Sequence, residues 1–172
     1  MPDAIIETPL GLVSIELSEH GVRQMHFIDN LPDTAPAPPA GLALEVSQQV
    51  AAYFDGTLFD FDLPLDFDTG SEFQRRCWSV ISAIPYGACV SYGEVAWAAG
   101  RPGAARAAGT ACAHNPITLL VPCHRVIAAN GSIGGYGSEM HRKVWLLRHE
   151  GVLDKIKGYT DVISVQPEAA VV

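Results

Sequence analysis

The chain has 172 residues, 48% of them hydrophobic and 17% charged, which excludes a disordered chain and allows one globular domain or two small ones. The formal net charge of −8, taken alone, argues against a nucleic-acid partner. The sequence contains no run of the ~18 apolar residues that cross a membrane and no secretory signal at its start, so we expect no membrane partner.

The charge is divided unevenly along the chain. Residues 1–70 contain one basic residue, Arg23, and twelve acidic residues, whereas residues 71–157 contain ten basic and five acidic residues. This asymmetry predicts an N-terminal domain at 1–68, a C-terminal domain at 69–157 and a flexible tail at 158–172. The positive second domain is suited to approach an anionic polymer while the acidic first domain faces away from it.

The first domain is predicted to be a small α+β unit. Residues 9–28 alternate apolar and polar positions around Glu19-His20-Gly21, which predicts a β-hairpin. After a proline-rich loop, residues 42–56 have apolar positions at helical spacing and end at Gly56. Residues 58–67 alternate again and predict another strand, before a seam at 66–73.

The second domain is predicted to be mostly helical. Ser71 is placed to cap a first helix, and SYGEVAWAAG, RPG and AARAAGTACAHN together outline a helix, a turn and a helix. After Asn115-Pro116, an apolar strand then leads into PCHR, the glycine-rich loop NGSIGGYGS and a last helix, EMHRKVWLLRHEG. The helix-turn-helix outline indicates a DNA-binding element only weakly, since many helical domains contain it.

Cys123 stands between Pro122 and His124 at the end of the apolar segment. Cationic neighbours favour the thiolate, which is the nucleophilic form of cysteine. A histidine acting as base needs an orienting partner, and Glu150, at the end of the last helix, can supply one if that helix packs back over the turn. The alternatives are a small buried cysteine and a solvated carboxylate at a helix end.

The other thiols and imidazoles lack such a context. We assign Cys77, Cys89 and Cys112 to packing, and the absence of a C-x-x-C pair predicts reduced thiols and a cytoplasmic location. The remaining histidines show no metal-ligand spacing, so we predict no metal site.

Arg106 is the lone charge in a stretch of alanine and glycine. It is either an ordinary surface arginine or a side chain that enters a DNA groove, because the small neighbours let the helix backbone come close to another surface. Tyr92 is either a core aromatic or a site residue. The glycines of GGYG form either a mobile loop or a close approach of backbone to a planar ligand.

Several segments, taken together and in order, resemble the methylated-DNA–protein-cysteine methyltransferases, the O6-alkylguanine-DNA alkyltransferases. They are PCHRV (122–126), SYGEVA (91–96), GAARAAG (103–109), NP (115–116), GGYG (134–137) and RKVWLLRHEG (142–151). The resemblance implies an α+β fold, with a small ribonuclease-H-like N-terminal domain and a mostly helical C-terminal domain that carries a winged-helix-like helix-turn-helix. It also implies DNA repair by one irreversible alkyl transfer per molecule from O6-methylguanine, with O4-methylthymine as a second candidate substrate.

The resemblance assigns catalytic roles residue by residue. Cys123 is the implied alkyl acceptor, and His124 the base that takes its proton through a water. Glu150 holds and polarises His124, Asn115 braces the turn, and Tyr92 hydrogen-bonds the N3 atom of guanine.

The implied partner is double-stranded DNA that carries O6-alkylguanine and is bound through its minor groove by a monomer, without a cofactor. Arg106 fills the gap that the flipped base leaves. The implied DNA contacts are Ala105, Arg106, Ala107, Gly109, Tyr92 and Arg125. The implied base pocket consists of Val126, Tyr136, Gly137, Ser138 and Cys112.

Ser138 and Glu139 depart from the glycine common in this family, and we expect the carboxylate to narrow the pocket. Two other functions remain open. A non-enzymatic lesion sensor of the alkyltransferase-like class lacks the acceptor cysteine that this chain has. A cysteine hydrolase of the papain type joins its cysteine and histidine from distant segments, unlike the adjacent Cys123 and His124.

Overall fold

The computed structural model of the chain describes residues 1–159. These residues belong to two compact units: residues 1–70 with 116–120, and residues 71–115 with the chain from Val121 onward. Both units contain helices or strands of the predicted kinds, so the protein is of the mixed α+β class. The predicted domain bounds place residues 116–120 in the second domain, whereas in the structure they belong to the first unit. Residues 160–172 of the predicted tail lie outside the described residues.

The first unit is built on a three-stranded antiparallel sheet in the order β1-β2-β3. Its strands are β1 (Ala4–Thr8), β2 (Gly11–Leu17) and β3 (Val22–Ile28), followed by helix α1 (Gly41–Phe54). The predicted hairpin and helix are confirmed, whereas β1 was not predicted. The buried apolar residues of this sheet and helix include Val13, Ile15, Val22, Met25, Val46, Val50 and Tyr53.

Two predicted strands are wrong. In residues 58–67 only Leu65 pairs, in a single bridge to Val22, because Pro64 lacks a backbone N–H with which to extend a ladder. In the segment after Asn115-Pro116, Ile117 forms a bridge to Met25, but no strand forms. The chain turns just after it, at Leu119, whose φ of 76° is incompatible with a strand.

Over residues 71–159, the second unit contains four α-helices: α2 (Glu72–Ser82), α3 (Tyr92–Ala98), α4 (Ala105–Ala113) and α5 (Met140–His149). The predicted cap is confirmed: Ser71 and Gln74 form a reciprocal capping box. The indole of Trp78 donates to the carbonyl of Ala111 at 2.8 Å, which ties α2 to α4. Among residues 1–159, the helices are all too short or too polar to cross a bilayer.

A short parallel pair, β4 (Val90–Ser91) with β5 (Val126–Ile127), was not predicted. Because Tyr92 follows β4 and the turn Cys123–Arg125 precedes β5, this pairing brings the start of α3 beside that turn. Further single turns of 3-10 helix lie at Gly137–Glu139 and Leu153–Lys155.

We predict that Gly21→Ala destabilises the first unit by about 3 kcal/mol or more. Gly21 has a φ of 151°, and a Cβ there would lie 2.4 Å from the carbonyl oxygen of Pro64. The control is Gly41→Ala, which also has a positive φ of 54° but open space around the added methyl, and should cost about 1 kcal/mol. Urea denaturation of both variants checks this; equal losses would show that the contact with Pro64 is unimportant.

Candidate active site

The turn that carries Cys123 is held by its own backbone. The amide of Cys123 donates to Val121 at 2.8 Å, and the amide of Arg125 donates to Pro122 at 2.9 Å. This single turn of 3-10 helix buries three chemically active side chains in succession, with Cys123 5% exposed and His124 fully buried. Proline before the cysteine fits the turn, since its ring restricts φ and the turn needs no N–H from it.

Asn115 braces this turn. Its side-chain amide donates both to the carbonyl of Val121 at 2.8 Å and to the sulfur of Cys123 at 3.1 Å. The second of these bonds favours the thiolate, because a sulfur anion is the better acceptor. The position is that predicted for Asn115.

Glu150 is the partner of His124. Its Oε1 atom lies 2.8 Å from Nε2 of His124 and 2.8 Å from Nη2 of Arg125. Its Oε2 atom accepts from Nε of Arg125 at 3.0 Å. The predicted packing of the last helix over the turn is therefore present, and Glu150 lies in a buried ion pair rather than in solvent.

These contacts set the protonation of the pair. Burial opposes ionisation of Glu150, but the hydrogen bonds and charges of His124 and Arg125 outweigh it and lower the pKa of Glu150 to about 2. Burial lowers the pKa of His124 more than Glu150 raises it, so the imidazole is neutral near pH 7. Since Nε2 then donates to Glu150, the lone pair is on Nδ1, which is buried and has no partner among residues 1–159.

Interaction with the Cys112 thiol and burial raise the pKa of Cys123 well above its ordinary value, against the opposing effects of Asn115 and Lys143. Interaction with the Cys123 thiol lowers the pKa of Cys112. The Cys123 thiol is therefore protonated at rest, so its use as a nucleophile requires a base.

Tyr92 is joined to the glycine-rich loop. Its hydroxyl donates to the carbonyl of Gly135 at 3.3 Å and accepts from the amide of Gly135 at 3.2 Å. A Cβ at Gly134 would lie 2.9 Å from the ring, so the loop approaches Tyr92 closely only because that residue is glycine. The interpretation of GGYG as a close backbone approach thus has a physical basis.

Lys143, which the sequence analysis did not single out, is the buried cation of the site. It is fully buried and donates to the carbonyls of Val126 at 2.7 Å and Gly135 at 3.1 Å. Desolvation lowers its pKa to about 8. One signal could have revealed it: Lys143 shares the helix face of Leu146, Leu147 and Glu150, with the spacing i, i+3, i+4, i+7.

Arg125 is not available to DNA, which corrects its predicted role. Its side chain is 6% exposed, and Nη1 donates to the carbonyl of Ile84 at 2.6 Å in addition to the ion pair with Glu150. Its guanidinium also lies 5.8 Å from the centre of the Tyr86 ring. All of these contacts stabilise the fold. The prediction that Arg125 contacts DNA was therefore wrong, although Arg125 lies two positions from Cys123 in the sequence.

The other predicted residues lie on α4, on β5 and in the glycine-rich loop with the short turn after it. Arg106 is exposed near the start of α4, with Ala105, Ala107 and Gly109 on the same helix. Val126 is buried, and Tyr136 is half-buried with its ring 5.8 Å from Nζ of Lys143.

Gly137, Ser138 and Glu139 form the short turn before α5, and Glu139 makes an ion pair with Arg142. The Glu139 carboxylate is therefore held by its own helix; whether it narrows a pocket stays a prediction. Within the described chain, no group of three His, Cys, Asp or Glu side chains is placed to hold a metal ion.

Comparison with known proteins gives a consistent set of relatives. Residues 72–152 match the family model described as "6-O-methylguanine DNA methyltransferase, DNA binding domain". The chain is 43% identical to a methylated-DNA–protein-cysteine methyltransferase of Mycolicibacterium paratuberculosis, over 84% of this chain and 89% of that protein. A protein of the same name from Methanosarcina acetivorans is 40% identical, over 86% and 97% respectively.

Among solved structures, the chain is similar to the crystal structure of Mycobacterium tuberculosis OGT in complex with DNA. The TM-score is 0.76 and the identity 41%, with 86% of this chain and 91% of that chain covered. The M. tuberculosis O6-methylguanine methyltransferase gives a TM-score of 0.74 at 38% identity, with 86% and 92% covered.

We predict that Glu150→Gln destabilises the protein by about 3 kcal/mol at pH 7, because it leaves the buried Arg125 charge without its counterion. Equilibrium urea unfolding measures this. Glu72→Gln is the matched control: that carboxylate is 80% exposed in its pair with Arg76, so its loss should cost at most about 0.5 kcal/mol.

The buried ion pair of Glu150 with Arg125 also predicts that the free energy of unfolding depends on pH. The folded pKa of Glu150 lies below its ordinary 4.5, at about 2, so its contribution to stability is complete above pH 4.5 and is lost as the pH falls through about 2. The wild-type unfolding free energy should thus fall more steeply over this interval than that of Glu150→Gln. Parallel curves would contradict the assigned shift.

Proposed function

The chain belongs to the methylated-DNA–protein-cysteine methyltransferase family, and we propose that it repairs DNA by transferring the alkyl group of O6-alkylguanine to Cys123. The observation that carries the proposal is the arrangement of Cys123 and His124 in one turn, with His124 hydrogen-bonded to Glu150. Glu150 binds one nitrogen of the imidazole and leaves the other, Nδ1, as the free base of the turn that holds the thiol.

Activation begins with the proton of Cys123. His124 is neutral and buried, so its Nδ1 takes the thiol proton, through a water, as the alkyl carbon approaches the sulfur. Glu150, already ionised, stabilises the imidazolium that forms. The Asn115 amide and the Lys143 ammonium group stabilise the sulfur while it carries negative charge.

In the transfer itself, the sulfur forms a bond to the alkyl carbon as the bond from that carbon to O6 breaks. Guanine leaves with the electron pair, and a hydrogen bond or proton at a ring nitrogen lowers the barrier. Tyr92 is placed for this if its long bond to the Gly135 carbonyl, 3.3 Å, is exchanged for one to N3 of the base. The product is a thioether whose C–S bond is stable, so each molecule reacts once.

DNA is bound by α3, the turn after it and α4, which we propose to be a winged-helix-like helix-turn-helix that enters the minor groove. Ala105, Ala107 and Gly109 allow the backbone of α4 to come close to the duplex. Arg106, exposed on α4, fills the gap of the flipped nucleotide and offsets part of the few kcal/mol that flipping costs. Val126, Tyr136 and the residues 137–138 line the pocket that receives the base.

We further propose a ribonuclease-H-like fold for the first unit, in keeping with its hairpin and helix α1. A monomer suffices, because the proposed catalytic residues all belong to one unit of one chain. The acceptor must remain a free thiol until it reacts, which favours the reducing cytoplasm.

We predict that the protein incubated with a duplex containing O6-methylguanine gains the mass of one methylene unit, on Cys123, and then stops. Cys123→Ala should show no transfer, whereas Cys89→Ala, which changes a half-buried packing thiol, should transfer normally. Intact-mass spectrometry with peptide mapping measures this. Repeated turnover of an ester or amide would instead favour the cysteine hydrolase.

We predict that Arg106→Ala lowers the second-order rate of transfer from duplex DNA about tenfold, equivalent to about 1.4 kcal/mol. The loss should be much smaller on free O6-benzylguanine, which needs no flipping. Lys155→Ala, an exposed cation on another element, is the control and should change either rate little. Equal losses on the duplex and the free base would refute the role in flipping.

A further inference from the structure

Tyr86, which the alkyl-transfer mechanism does not use, contacts both sides of the ion pair between Arg125 and Glu150. Its hydroxyl donates to the carbonyl of His149 at 3.2 Å, and His149 is the last residue of α5, directly before Glu150. Its ring centre lies 5.8 Å from the guanidinium carbon of Arg125. Two positions earlier, the carbonyl of Ile84 accepts from Nη1 of the same arginine at 2.6 Å. The side chain of Tyr86 therefore connects the end of α5 with the guanidinium that binds Glu150.

The backbone around Tyr86 is held in a turn. The amide of Ala88 donates to the carbonyl of Pro85 at 3.1 Å, which closes a β-turn with Tyr86 at its second position. Gly87 follows with a φ of 79°, as the third position of a type II turn requires. The ring of Tyr86 thus extends from a defined turn rather than from an open loop.

The exposure of these side chains falls from Tyr86 to the imidazole. Tyr86 is half-buried, the side chain of Arg125 is 6% exposed, and those of Glu150 and His124 are fully buried. Burial and the charge of Glu150 raise the pKa of Tyr86, while Arg125 lowers it, so both charges act on the phenol. An aromatic face attracts a guanidinium and can cover it in place of water. This order places the ring at the boundary between the ion pair and solvent.

We propose that Tyr86 is a positioning residue whose ring shields the Arg125–Glu150 pair from water and thereby keeps the imidazole of His124 neutral. The hydroxyl holds the ring against the end of α5, and the ring provides the shielding. The effect on the imidazole follows from these contacts; only its consequence for alkyl transfer rests on the proposed function.

The direction of the effect follows from the causes that act on His124. Burial is the largest of them and lowers the pKa of His124, although Glu150 raises it. Water that enters in place of the ring weakens the effect of burial and screens the charges, so the pKa of His124 rises toward its ordinary 6.5. A protonated imidazole has no lone pair with which to take the thiol proton. The charged and titratable groups around the pair, from α5, the thiol turn and the chain after α2, are Glu150, Lys143, Arg125, Cys123, Tyr86 and Cys89.

The first test follows the titration of His124 by nuclear magnetic resonance of the full-length protein with isotopically labelled histidine. The signals of His124 are assigned by their loss in His124→Gln. We expect Tyr86→Ala to raise the midpoint by about half a pH unit or more, because the ion pair becomes hydrated. Tyr86→Phe keeps the ring and should retain the wild-type midpoint. Phe73→Ala is the matched control, because it removes a ring that lies 4.6 Å from a different guanidinium, that of Arg101, and it should leave the midpoint unchanged.

The second test measures single-turnover transfer from a saturating O6-methylguanine duplex across a range of pH. Half a unit changes the ratio of neutral to protonated imidazole about threefold, so Tyr86→Ala should be about threefold slower than wild type below the midpoint and equal to it near about pH 8. Tyr86→Phe should follow the wild-type profile. A loss of equal size at every pH would mean that Tyr86 only supports the fold, and would overturn the inference.

The outcomes of the two tests can be told apart. If Tyr86→Ala does not fold, Tyr86→Leu replaces it, with a smaller shift expected in the same direction. An unchanged midpoint in a folded variant that lacks the ring, or an equal rise in Tyr86→Phe or Phe73→Ala, would contradict the proposed shielding. If the wild type transfers no methyl group, the proposed function falls while the titration of His124 still judges the role of the ring.

Discussion

One buried carboxylate organises the second unit. Glu150 accepts from His124 through one oxygen and from Arg125 through both, and its side chain is fully buried. A buried ion pair offsets its desolvation cost only when the geometry satisfies most donors and acceptors. Here Arg125 also donates to the carbonyl of Ile84, so the end of α5, the thiol turn and the chain after α2 are joined at one point.

This arrangement also decides where protons reside. Because burial lowers the pKa of His124, and Arg125 balances the charge of Glu150, the imidazole remains neutral although it is hydrogen-bonded to a carboxylate. Its Nε2–H is used in that bond, and the basic lone pair remains on Nδ1. The thiol of Cys123 stays protonated until a substrate is in place, which protects a buried nucleophile from premature reaction.

Helix α5 contributes to both sides of the site. Lys143 and Glu150 are seven positions apart, so both lie on the buried face. Lys143 holds the glycine-rich loop through the carbonyl of Gly135, and Glu150 holds the thiol turn. The hydroxyl of Tyr92 bonds the same glycine from α3, so the loop is held mainly through its backbone.

The helices and the hairpin could be predicted because their information is local. Ser71 caps α2 as predicted, and the apolar period of residues 42–56 agrees with α1. The strands predicted near Leu65 and Ile117 were wrong because strand formation depends on non-local pairing. An apolar stretch becomes a strand only if a partner edge is free over several residues, and local sequence does not contain that partner.

By itself, the sequence determined the chemical groups of the site and their order: a thiol, its imidazole neighbour, and a carboxylate one helix away. The family motif carried the predicted association of Glu150 with His124. Only the tertiary structure decided that Arg125 is a buried brace and that Lys143 is a buried cation. The reason is physical: the destination of a long or polar side chain depends on which distant carbonyl, carboxylate or sulfur lies within reach after folding.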